Sequence, residues 1–324
     1  MTEVKSAMYF IINPMAGSGK TYHYWKPAEA LLVNSAVTFS KVHTQCAGHA
    51  VELAYNAADE GYRTIFAVGG DGTLHEIVQG ICDWCDKNAI STEEFRVGVI
   101  PVGSGNDWIK SLNVPHDTVK VAQMILSDQY VPIDVVRVRD SSGKNCYMSN
   151  IGGVGFDSHV CEVVNRQKEK GYRSRFMYFI GLLRTIAKLN VLNLSVKADG
   201  TEVYRGMVYS IALGNGCYSG SGMRQVPLAR INDGILDYTI VPRLGLMTIL
   251  GEIPKLFSGK LDQSSAVICG KCERLEIEPL DAASVDLFEV DGEVVTKLPV
   301  TVEVTGRSIN ALGSISEEPA RAGL

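Results

Sequence analysis

Three glycine-rich segments, each placed between a short apolar run and a helical stretch, constrain the fold of this chain more than any other feature. The apolar runs contain many β-branched or aromatic residues, which favour strands, and the stretches after them have helical periodicity. Alternating strands and helices of this kind form a parallel sheet that is covered by helices on both faces. The predicted strands of this first region comprise residues 8–13, 37–43, 64–68 and 97–100. The predicted helices comprise residues 21–33, 48–60, 74–86 and 106–112.

Beyond residue 132 the pattern changes, and short strand-like runs predominate. The pair Asp199-Gly200 separates two of these runs and predicts a tight β-hairpin turn. A helix is predicted at 244–257 and a longer helical stretch at about 156–189. This second region is therefore expected to be mostly β and to form a sandwich. Its predicted strands comprise residues 133–139, 146–151, 192–198, 202–213, 235–242, 265–269, 274–279, 285–290 and 300–304.

The composition narrows the class of protein. The chain has 324 residues, enough for about two domains, with 31 Lys and Arg against 36 Asp and Glu. A net charge of −5 argues against a generally basic nucleic-acid binder, so no nucleic-acid partner is expected. The longest strongly apolar stretch, 176–183, is far shorter than a membrane-spanning helix, and the first residues lack the pattern of a signal peptide. A cytoplasmic location is therefore expected.

The first glycine-rich segment, from Ala16 to Thr21, reads AGSGKT but matches neither of two familiar phosphate loops. A Walker A loop requires glycine where this chain has Pro14, and the dinucleotide motif requires glycine where it has Tyr22. What remains is a turn between a strand and a helix, whose glycines let backbone N–H groups approach an anion. An ordinary tight turn explains the same residues, so both interpretations stay open at this point.

The second segment, from Gly69 to Thr73, has three glycines in four positions around Asp71. So many glycines are entropically unfavourable unless the backbone must come close to another group. A carboxylate beside bound phosphates would repel them unless a divalent cation such as Mg²⁺ lies between. Asp71 and Thr73 are therefore candidates either for metal and nucleotide binding or for capping the helix that follows.

The third segment, residues 101–107, again leaves a strand and enters a helix. Ser104 offers a hydroxyl to a phosphate, and Asn106 or Asp107 is placed to cap the helix. The carboxyl ends of parallel strands meet at one edge of the sheet, where ligands of such folds bind. The three segments are therefore predicted to converge on one crevice and to hold the phosphates of a nucleotide.

Three motifs in this order resemble the catalytic domain of diacylglycerol kinases: Asn13-Pro14-x-Ala16-Gly17, Gly69-Gly70-Asp71-Gly72-Thr73 and Gly103-Ser104-Gly105-Asn106-Asp107. The sequence Asp291-Gly292-Glu293 completes the pattern, and the chain is most similar to the soluble bacterial members, from about residue 8 to about residue 305. The resemblance implies an ATP-binding α/β domain at 1–132, of the type that NAD kinases and diacylglycerol kinases share. It also implies a β-rich domain for the lipid substrate at 133–305, with residues 306–324 returning to the first domain.

The resemblance further implies the ATP contacts. Two positions depart from the family pattern, because Ser104 replaces the usual threonine and His75 replaces an asparagine. Ser104 keeps the hydroxyl group, so its predicted contact is unchanged. The residues implied in ATP binding are Asn13, Pro14, Met15, Ala16, Gly17, Thr44, Gly69, Gly70, Asp71, Gly72, Thr73, Leu74, His75 and Ser104.

A magnesium loop and a proton acceptor are implied in the second domain. In the loop, the Asp233 carboxylate would act with the backbone carbonyls of Arg230 and Ile235, an all-oxygen set that suits Mg²⁺. A simple Asp-Gly turn explains the same residues. Glu293 would take the proton from the acceptor hydroxyl, although related sphingosine-type kinases point to Asp71 as that base. Taken alone, Glu293 would be a solvated acid beside a turn.

These assignments predict an ATP-dependent kinase that phosphorylates a lipid hydroxyl, with diacylglycerol or a related lipid as the acceptor. Two alternatives stay open: a kinase of the same superfamily that acts on NAD or another small molecule, and a non-catalytic module that binds nucleotide or lipid. Residues 166–188 combine a basic cluster with the apolar block 176–183, which favours peripheral contact with an anionic membrane. A core helix with a solvated basic start is the alternative for that stretch. The oligomeric state is not predicted.

Overall fold

The computed structural model describes residues 5–102, 105–155, 191–220 and 222–315. It divides into two compact units, with one division between Val135 and Val136 and another between Thr305 and Gly306. The first unit thus takes its last segment from near the end of the chain. The assignment of ATP binding to one unit and of lipid binding to the other stays a prediction. Among the described residues, none of the helices is long and apolar enough to cross a bilayer.

The first unit contains a parallel sheet with the strand order β2, β1, β3, β4 and the last part of β15. Phe10, Phe66 and Val68 are completely buried, as expected for strands that are covered on both faces. The α/β region predicted from the sequence is therefore confirmed. The strands are β1 (Lys5–Ile12), β2 (Phe39–His43), β3 (Tyr62–Gly69), β4 (Arg96–Pro101) and β15 (Val300–Leu312).

The register of this sheet places the ends of its first four strands side by side. Ile12 at the end of β1 pairs with His43 at the end of β2 and with Val68 near the end of β3. Val68 in turn pairs with Ile100 near the end of β4. Because the strands are parallel, the segments that follow them leave the sheet at the same edge.

Helices accompany these strands, and their mutual packing explains a glycine inside a helix. Leu74, Ile77 and Ile81 follow one another at helical spacing on α4 and are buried. On the same helix, a Cβ atom at Gly80 would lie 2.2 Å from the carbonyl oxygen of Val51 on α3. Glycine therefore allows the two helices to pack closely. The helices of this unit are α1 (Ala16–Gly19), α2 (Thr21–Asn34), α3 (His49–Asp59), α4 (Asp71–Asn88), α5 (Trp108–Ser111) and α6 (Thr118–Leu126).

The second unit is an antiparallel β structure with the strand order β14, β13, β7, β9, β8, β12 and the first part of β15. In addition, β10 pairs with β9 and β11, and β6 pairs with β5. A helix, α7 (Leu246–Ser258), follows β10. The strand β5 (Tyr130–Asp140) begins in the first unit and ends in the second. The other strands are β6 (Asn145–Met148), β7 (Ile151–Gly155), β8 (Leu192–Ala198), β9 (Thr201–Gly214), β10 (Leu236–Pro242), β11 (Ile268–Cys272), β12 (Arg274–Pro279), β13 (Leu287–Val290) and β14 (Glu293–Lys297).

An apolar core holds the second unit together. Leu194, Ile211, Leu275 and Phe288 come from four different strands, are completely buried and belong to one cluster. The predicted β-rich character is confirmed. The hairpin predicted at Asp199-Gly200 is confirmed too, since it joins β8 to β9 and both of its residues have the positive φ angles that such a turn requires.

Some predicted bounds were wrong, and each has a local cause. The strand predicted at 265–269 begins only at Ile268, because the Ser264 hydroxyl accepts a hydrogen bond from the Ala266 backbone N–H at 3.1 Å and holds a turn there. The helix predicted at 106–112 is reduced to α5, since Asn106 adopts a left-handed conformation with φ of 47°. The last predicted strand, 300–304, is too short, because β15 continues along β4. The helical stretch predicted at 156–189 lies outside the described residues.

Candidate functional site

The turn that follows β1 is held by hydrogen bonds to both neighbouring elements. Asn13 donates its backbone N–H to the Val68 carbonyl at 3.0 Å, and its own carbonyl accepts a hydrogen bond from the Thr21 hydroxyl at 2.7 Å. The Asn13 side-chain oxygen accepts the Met15 backbone N–H at 3.0 Å. Pro14 and Ala16 lie within this turn, which therefore has a defined shape at the end of β1.

Gly17 is required by this turn because the backbone of the third segment passes directly beside it. Its φ angle is +54°, and a Cβ atom at this position would lie 2.6 Å from the carbonyl oxygen of Val102. Both the left-handed conformation and the contact exclude a larger side chain. The first and third glycine-rich segments are thus in contact, as predicted from their places after the ends of parallel strands.

The second segment joins the end of β3 to α4. Thr73 is buried, and its hydroxyl accepts a hydrogen bond from the Asn13 side-chain amide at 3.2 Å. A Cβ atom at Gly69 would lie 2.6 Å from the same hydroxyl oxygen, so glycine leaves room for it. Leu74 and His75 are buried in the helix that follows. The first and second segments are therefore bonded to each other through two of the predicted site residues.

Asp71 has a structural partner that neither interpretation of the sequence included. Its two carboxylate oxygens accept the backbone N–H groups of Asp107 at 2.9 Å and of Trp108 at 3.2 Å. Asp71 therefore caps the start of α5, whereas its own helix begins after Gly70 without a side-chain cap. Carboxylate oxygens are among the ligands that Mg²⁺ prefers. Asp71 thus fits one oxygen ligand of a Mg²⁺ ion while it holds the third segment in place.

The third segment is also bonded to the second through the backbone. The Val102 N–H donates to the Gly69 carbonyl at 2.8 Å. Gly103 and Ser104 lie outside the described residues, so the predicted phosphate contact of Ser104 stays a prediction. Gly105 follows them, and a Cβ atom there would lie 3.6 Å from an Asp71 carboxylate oxygen. The described part of this segment therefore lies directly against Asp71.

Glu76 is a site residue that the sequence analysis missed. Its two carboxylate oxygens accept the backbone N–H groups of Gly48 and Ala50, each at 2.9 Å, at the start of α3. It thereby holds the segment after β2, in which Thr44 is buried and donates its backbone N–H to the Ile12 carbonyl at 2.9 Å. The sequence did contain a signal, since Glu76 lies three residues after Thr73 and so on the same face of the helix.

Three side chains in the first two turns of α4 therefore form hydrogen bonds with three neighbouring segments. Asp71 holds the segment after β4, Thr73 holds the turn after β1, and Glu76 holds the segment after β2. The positive end of the α4 dipole and the glycine-rich backbone at residues 69–72 lie at the same edge of the sheet. Such an arrangement can bind a polyphosphate through backbone N–H groups.

In the second unit, Glu293 stands at the end of a rigid hairpin turn. Asp291 and Gly292 have φ angles of 52° and 89°, and Glu293 pairs across the turn with Val290. The Glu293 side chain is exposed to solvent. The Gly292 N–H donates to the carboxylate of Glu289, which is buried, at 2.9 Å. A carboxylate in this position can accept a proton from a hydroxyl that approaches the turn.

Asp291 anchors this turn, a role that the sequence analysis did not assign. Its carboxylate accepts the Ser149 N–H and hydroxyl, both at 3.0 Å, the Asn150 N–H at 2.8 Å and the Ile151 N–H at 3.2 Å. In the reverse direction, the Asp291 backbone N–H donates to the Ile151 carbonyl at 2.7 Å. These bonds fix the backbone two residues before Glu293.

The predicted magnesium loop lies beside a cationic side chain on β11. The Lys271 ammonium lies 3.7 Å from an Asp233 carboxylate oxygen and 3.3 Å from Asp237, which is buried. Burial raises the pKa of Asp237, and the nearby Lys271 acts in the opposite direction. The Ile235 N–H donates to Asp233 at 3.3 Å, and Arg230 is exposed. Within the described part of the chain no three His, Cys, Asp or Glu side chains form a metal-binding group, so magnesium here stays a prediction.

The comparisons with known proteins agree with this architecture. Residues 7–138 match the diacylglycerol kinase catalytic domain, and residues 151–313 match the YegS C-terminal NAD kinase beta sandwich-like domain. A diacylglycerol kinase of Mycobacterium tuberculosis is 25% identical over 303 residues, which cover 93% of each chain. One from Staphylococcus aureus is 28% identical over 290 residues, or 89% of this chain and 86% of the relative.

A solved structure supports the same fold. The crystal structure of a candidate diacylglycerol kinase from Bacillus anthracis superimposes with a TM-score of 0.76. The two sequences are 24% identical, and the superposition covers 97% of this chain and 96% of that chain. This likeness shows that the two chains share a fold over almost their whole length.

Proposed function

This chain belongs to the diacylglycerol kinase catalytic-domain family, with a YegS-like C-terminal domain, and from this premise we propose that it is an ATP-dependent lipid kinase. The acceptor is the hydroxyl group of diacylglycerol or of a related lipid. One observation carries the proposal: the first two turns of α4 bond together the segments that follow β1, β2 and β4. Three bonded segments around a helix N-terminus form a preorganised site for a triphosphate.

The first unit binds ATP in this proposal. The backbone N–H groups of residues 13–17 and 69–72 hold the phosphates, and the dipole of α4 favours their negative charge. Thr44, at the end of β2, and Ser104 complete the set of contacts. When bound, Mg²⁺ neutralises charge on the phosphates, and Asp71 supplies one of its oxygen ligands.

The second unit supplies the proton acceptor. The lipid hydroxyl oxygen attacks the γ-phosphorus of ATP, the bond from that phosphorus to the bridging oxygen breaks, and ADP leaves. Glu293 takes the proton of the attacking hydroxyl. Two features support this choice: the carboxylate is exposed, and Asp291 fixes the turn that carries it. Asp71 is the alternative base, although its oxygens already accept two backbone N–H groups.

A second candidate function is phosphorylation of NAD or of another small molecule. It is favoured by the likeness of residues 151–313 to a domain described as NAD kinase beta sandwich-like. A third candidate is a module that binds nucleotide or lipid without turnover. The presence of candidate acids in both units argues for catalysis. In the proposed setting the protein is cytoplasmic and contacts the membrane surface only peripherally to reach its lipid.

The test is ATP consumption by the purified protein with diacylglycerol, phosphatidylglycerol, sphingosine and NAD as separate acceptors. A phosphorylated lipid, identified by mass spectrometry, is the expected product. Phosphorylation of NAD alone would select the second candidate, and ATP binding without turnover on any acceptor would select the third. Glu293→Gln is expected to lower turnover about 100-fold or more while the melting temperature stays unchanged. Asp71→Asn is a less clean test, because it also disturbs the start of α5.

A further inference from the structure

Helix α7 (Leu246–Ser258) presents an outward face on which the charge of Lys255 is neutralised by Glu252. The exposed residues of a surface helix normally include charged side chains, as Asp86 and Lys87 do near the end of α4. Pro254 also lies on the outward face, where a missing backbone N–H is most easily tolerated. Among the α7 residues whose burial is described, the exposed ones are Met247, Thr248, Gly251, Pro254, Phe257 and Ser258.

The two charged side chains of α7 neutralise each other. Glu252 and Lys255 form an ion pair at 3.0 Å, in which the Lys255 side chain is 38% exposed. Met247 is 80% exposed and Phe257 is 44% exposed, so two large apolar side chains project into solvent near opposite ends of the helix. Exposed apolar side chains of this kind are unfavourable in water, so we expect another surface to cover them.

Basic residues border this face at both ends. Arg243 precedes the helix and Lys260 follows it, and both are exposed. Arg243 lies beside Met207, which is 47% exposed, since its backbone N–H donates to the Met207 carbonyl at 2.8 Å. The apolar surface therefore continues from the start of α7 onto the middle of β9. Cationic ends around a partly apolar face, whose own Lys255 is paired with Glu252, match the surface of an anionic membrane.

We propose that the outward face of α7, together with Arg243, Lys260 and Met207, docks this protein onto an anionic lipid bilayer. Met247 and Phe257 enter the boundary between headgroups and acyl chains, and the two basic residues contact lipid phosphates. The whole chain carries a net charge of −5, so attraction to an anionic surface has to be local. This docking role rests on the proposed function for its purpose, because a lipid kinase must reach an acceptor held in a bilayer.

The experiment is flotation of the full chain with phosphatidylcholine vesicles, with and without phosphatidylglycerol. Wild type is expected to float with the anionic vesicles and much less with the neutral ones. Met247→Glu combined with Phe257→Glu is expected to weaken binding to anionic vesicles about tenfold or more. The matched control is Val33→Glu with Leu126→Glu, two exposed apolar residues of the first unit, which should bind as wild type does. Thermal melting checks that both variants fold.

Turnover separates this proposal from the proposed function. The α7 variant should phosphorylate a monomeric short-chain diacylglycerol at the wild-type rate and lose activity only on vesicle-embedded acceptor. If wild type phosphorylates no lipid but floats through α7, the proposed function fails and the docking surface stands. Equal flotation of wild type and the α7 variant, or no flotation of either, overturns the docking surface. Light scattering that shows a wild-type dimer and a monomeric variant also overturns it, because the face would then contact a second copy.

Discussion

The side-chain amide of Asn13 donates a hydrogen bond to the hydroxyl oxygen of Thr73 at 3.2 Å, and this bond ties the turn after β1 to the start of α4. The oxygen of the same Asn13 side chain accepts the Met15 N–H within the turn. One amide group therefore shapes its own turn and also contacts a residue sixty positions further along the sequence. Both residues are predicted to contact ATP. Their bond therefore sets the distance between two parts of the proposed phosphate site before the nucleotide arrives.

Removing the Thr73 hydroxyl tests this bond. Thr73→Val keeps the shape of the side chain but cannot accept from Asn13, and a lost hydrogen bond of this kind costs about 1 kcal/mol. We expect roughly fivefold weaker ATP binding, whereas Thr73→Ser, which keeps the hydroxyl, should bind close to wild type. Calorimetric titration with ATP measures both. Equal affinity of the valine and serine variants would show that the bond does not shape the site.

Gly17→Ala tests the contact between the first and third segments. The new methyl group would meet the Val102 carbonyl oxygen at 2.6 Å in a left-handed conformation, so the turn must move. We expect a loss of about 2 kcal/mol in the free energy of unfolding and a severe loss of ATP binding. Gly19→Ala is the control, since Gly19 also has a positive φ but has open space around it. The contact is unimportant if the two variants have the same urea midpoint and ATP affinity.

Glu76→Gln tests the anchoring of α3. Glutamine keeps one acceptor oxygen and replaces the other by a donor, so either Gly48 or Ala50 loses its partner. We expect the free energy of unfolding to fall by about 2 kcal/mol and ATP binding to weaken. Glu52→Gln, an exposed acid of α3, should change neither property. Unfolding in urea and ATP titration provide the comparison, and a Glu76 variant that behaves like the Glu52 control would refute the anchoring role.

Asp291→Ala tests whether the hairpin positions Glu293. The change removes the acceptor of four hydrogen bonds from residues 149–151, and we expect a loss of about 3 kcal/mol in the free energy of unfolding together with lower turnover. Glu293→Gln should lower turnover without lowering stability, because the side chain is exposed. Asp291→Asn, which keeps one acceptor and tolerates a positive φ, should recover part of both losses. Full activity in a destabilised alanine variant would rule out a positioning role.

Lys271→Met tests the ion pairs that Lys271 forms with Asp233 and, more closely, with the buried Asp237. Burial raises the pKa of Asp237, so this carboxyl holds its proton more readily in the folded than in the unfolded chain. Its contribution to stability is therefore full below the unfolded pKa, about 3.9, and is lost as pH rises through the folded pKa. Lys271 limits this loss by favouring the charged form.

Removing Lys271 should therefore destabilise the protein more at neutral pH than near pH 4, as measured by urea unfolding at the two pH values. Lys297→Met, a change of an exposed lysine, is the control. An equal loss at both pH values would contradict the assignment. If Mg²⁺ raises the melting temperature of wild type but not that of Asp233→Asn, the loop holds the metal that the family resemblance implies.

Local patterns in the sequence were enough to predict the α/β region, the β-rich region and the placement of three glycine-rich segments at strand ends. An apolar run such as the one that ends at Ile12 predicts a buried strand, because this pattern depends only on residues that are close together in the sequence. The predicted bounds of an element were wrong where one side chain, or pairing with a distant strand, decides where the element begins or ends. The Ser264 hydroxyl delays β11, and pairing with β4 prolongs β15.

The sequence did not reveal the partners of the site carboxylates. Asp71 bonds to backbone groups thirty-six and thirty-seven residues away, and Asp291 bonds to groups about 140 residues away. Such distances depend on packing and leave no periodic signal. Glu76 shares a helix face with Thr73, but its partners, the N–H groups of Gly48 and Ala50, lie at the start of another helix and could not be predicted. Ser104 and the basic stretch 166–188 lie outside the described residues, so their predicted roles stay predictions.

The place of β15 in the chain decides how the first unit can be produced by itself. Its last residues pair with β4 through Asn310 and Ala311, and the carbonyl of Ser308 accepts the hydroxyl of Thr92, which is completely buried. A fragment that stops at residue 135 would lack these partners and would leave one edge of β4 open to association with other chains. Producing the first unit by itself therefore requires residues 306–315 to be joined to residues 5–135 through a linker.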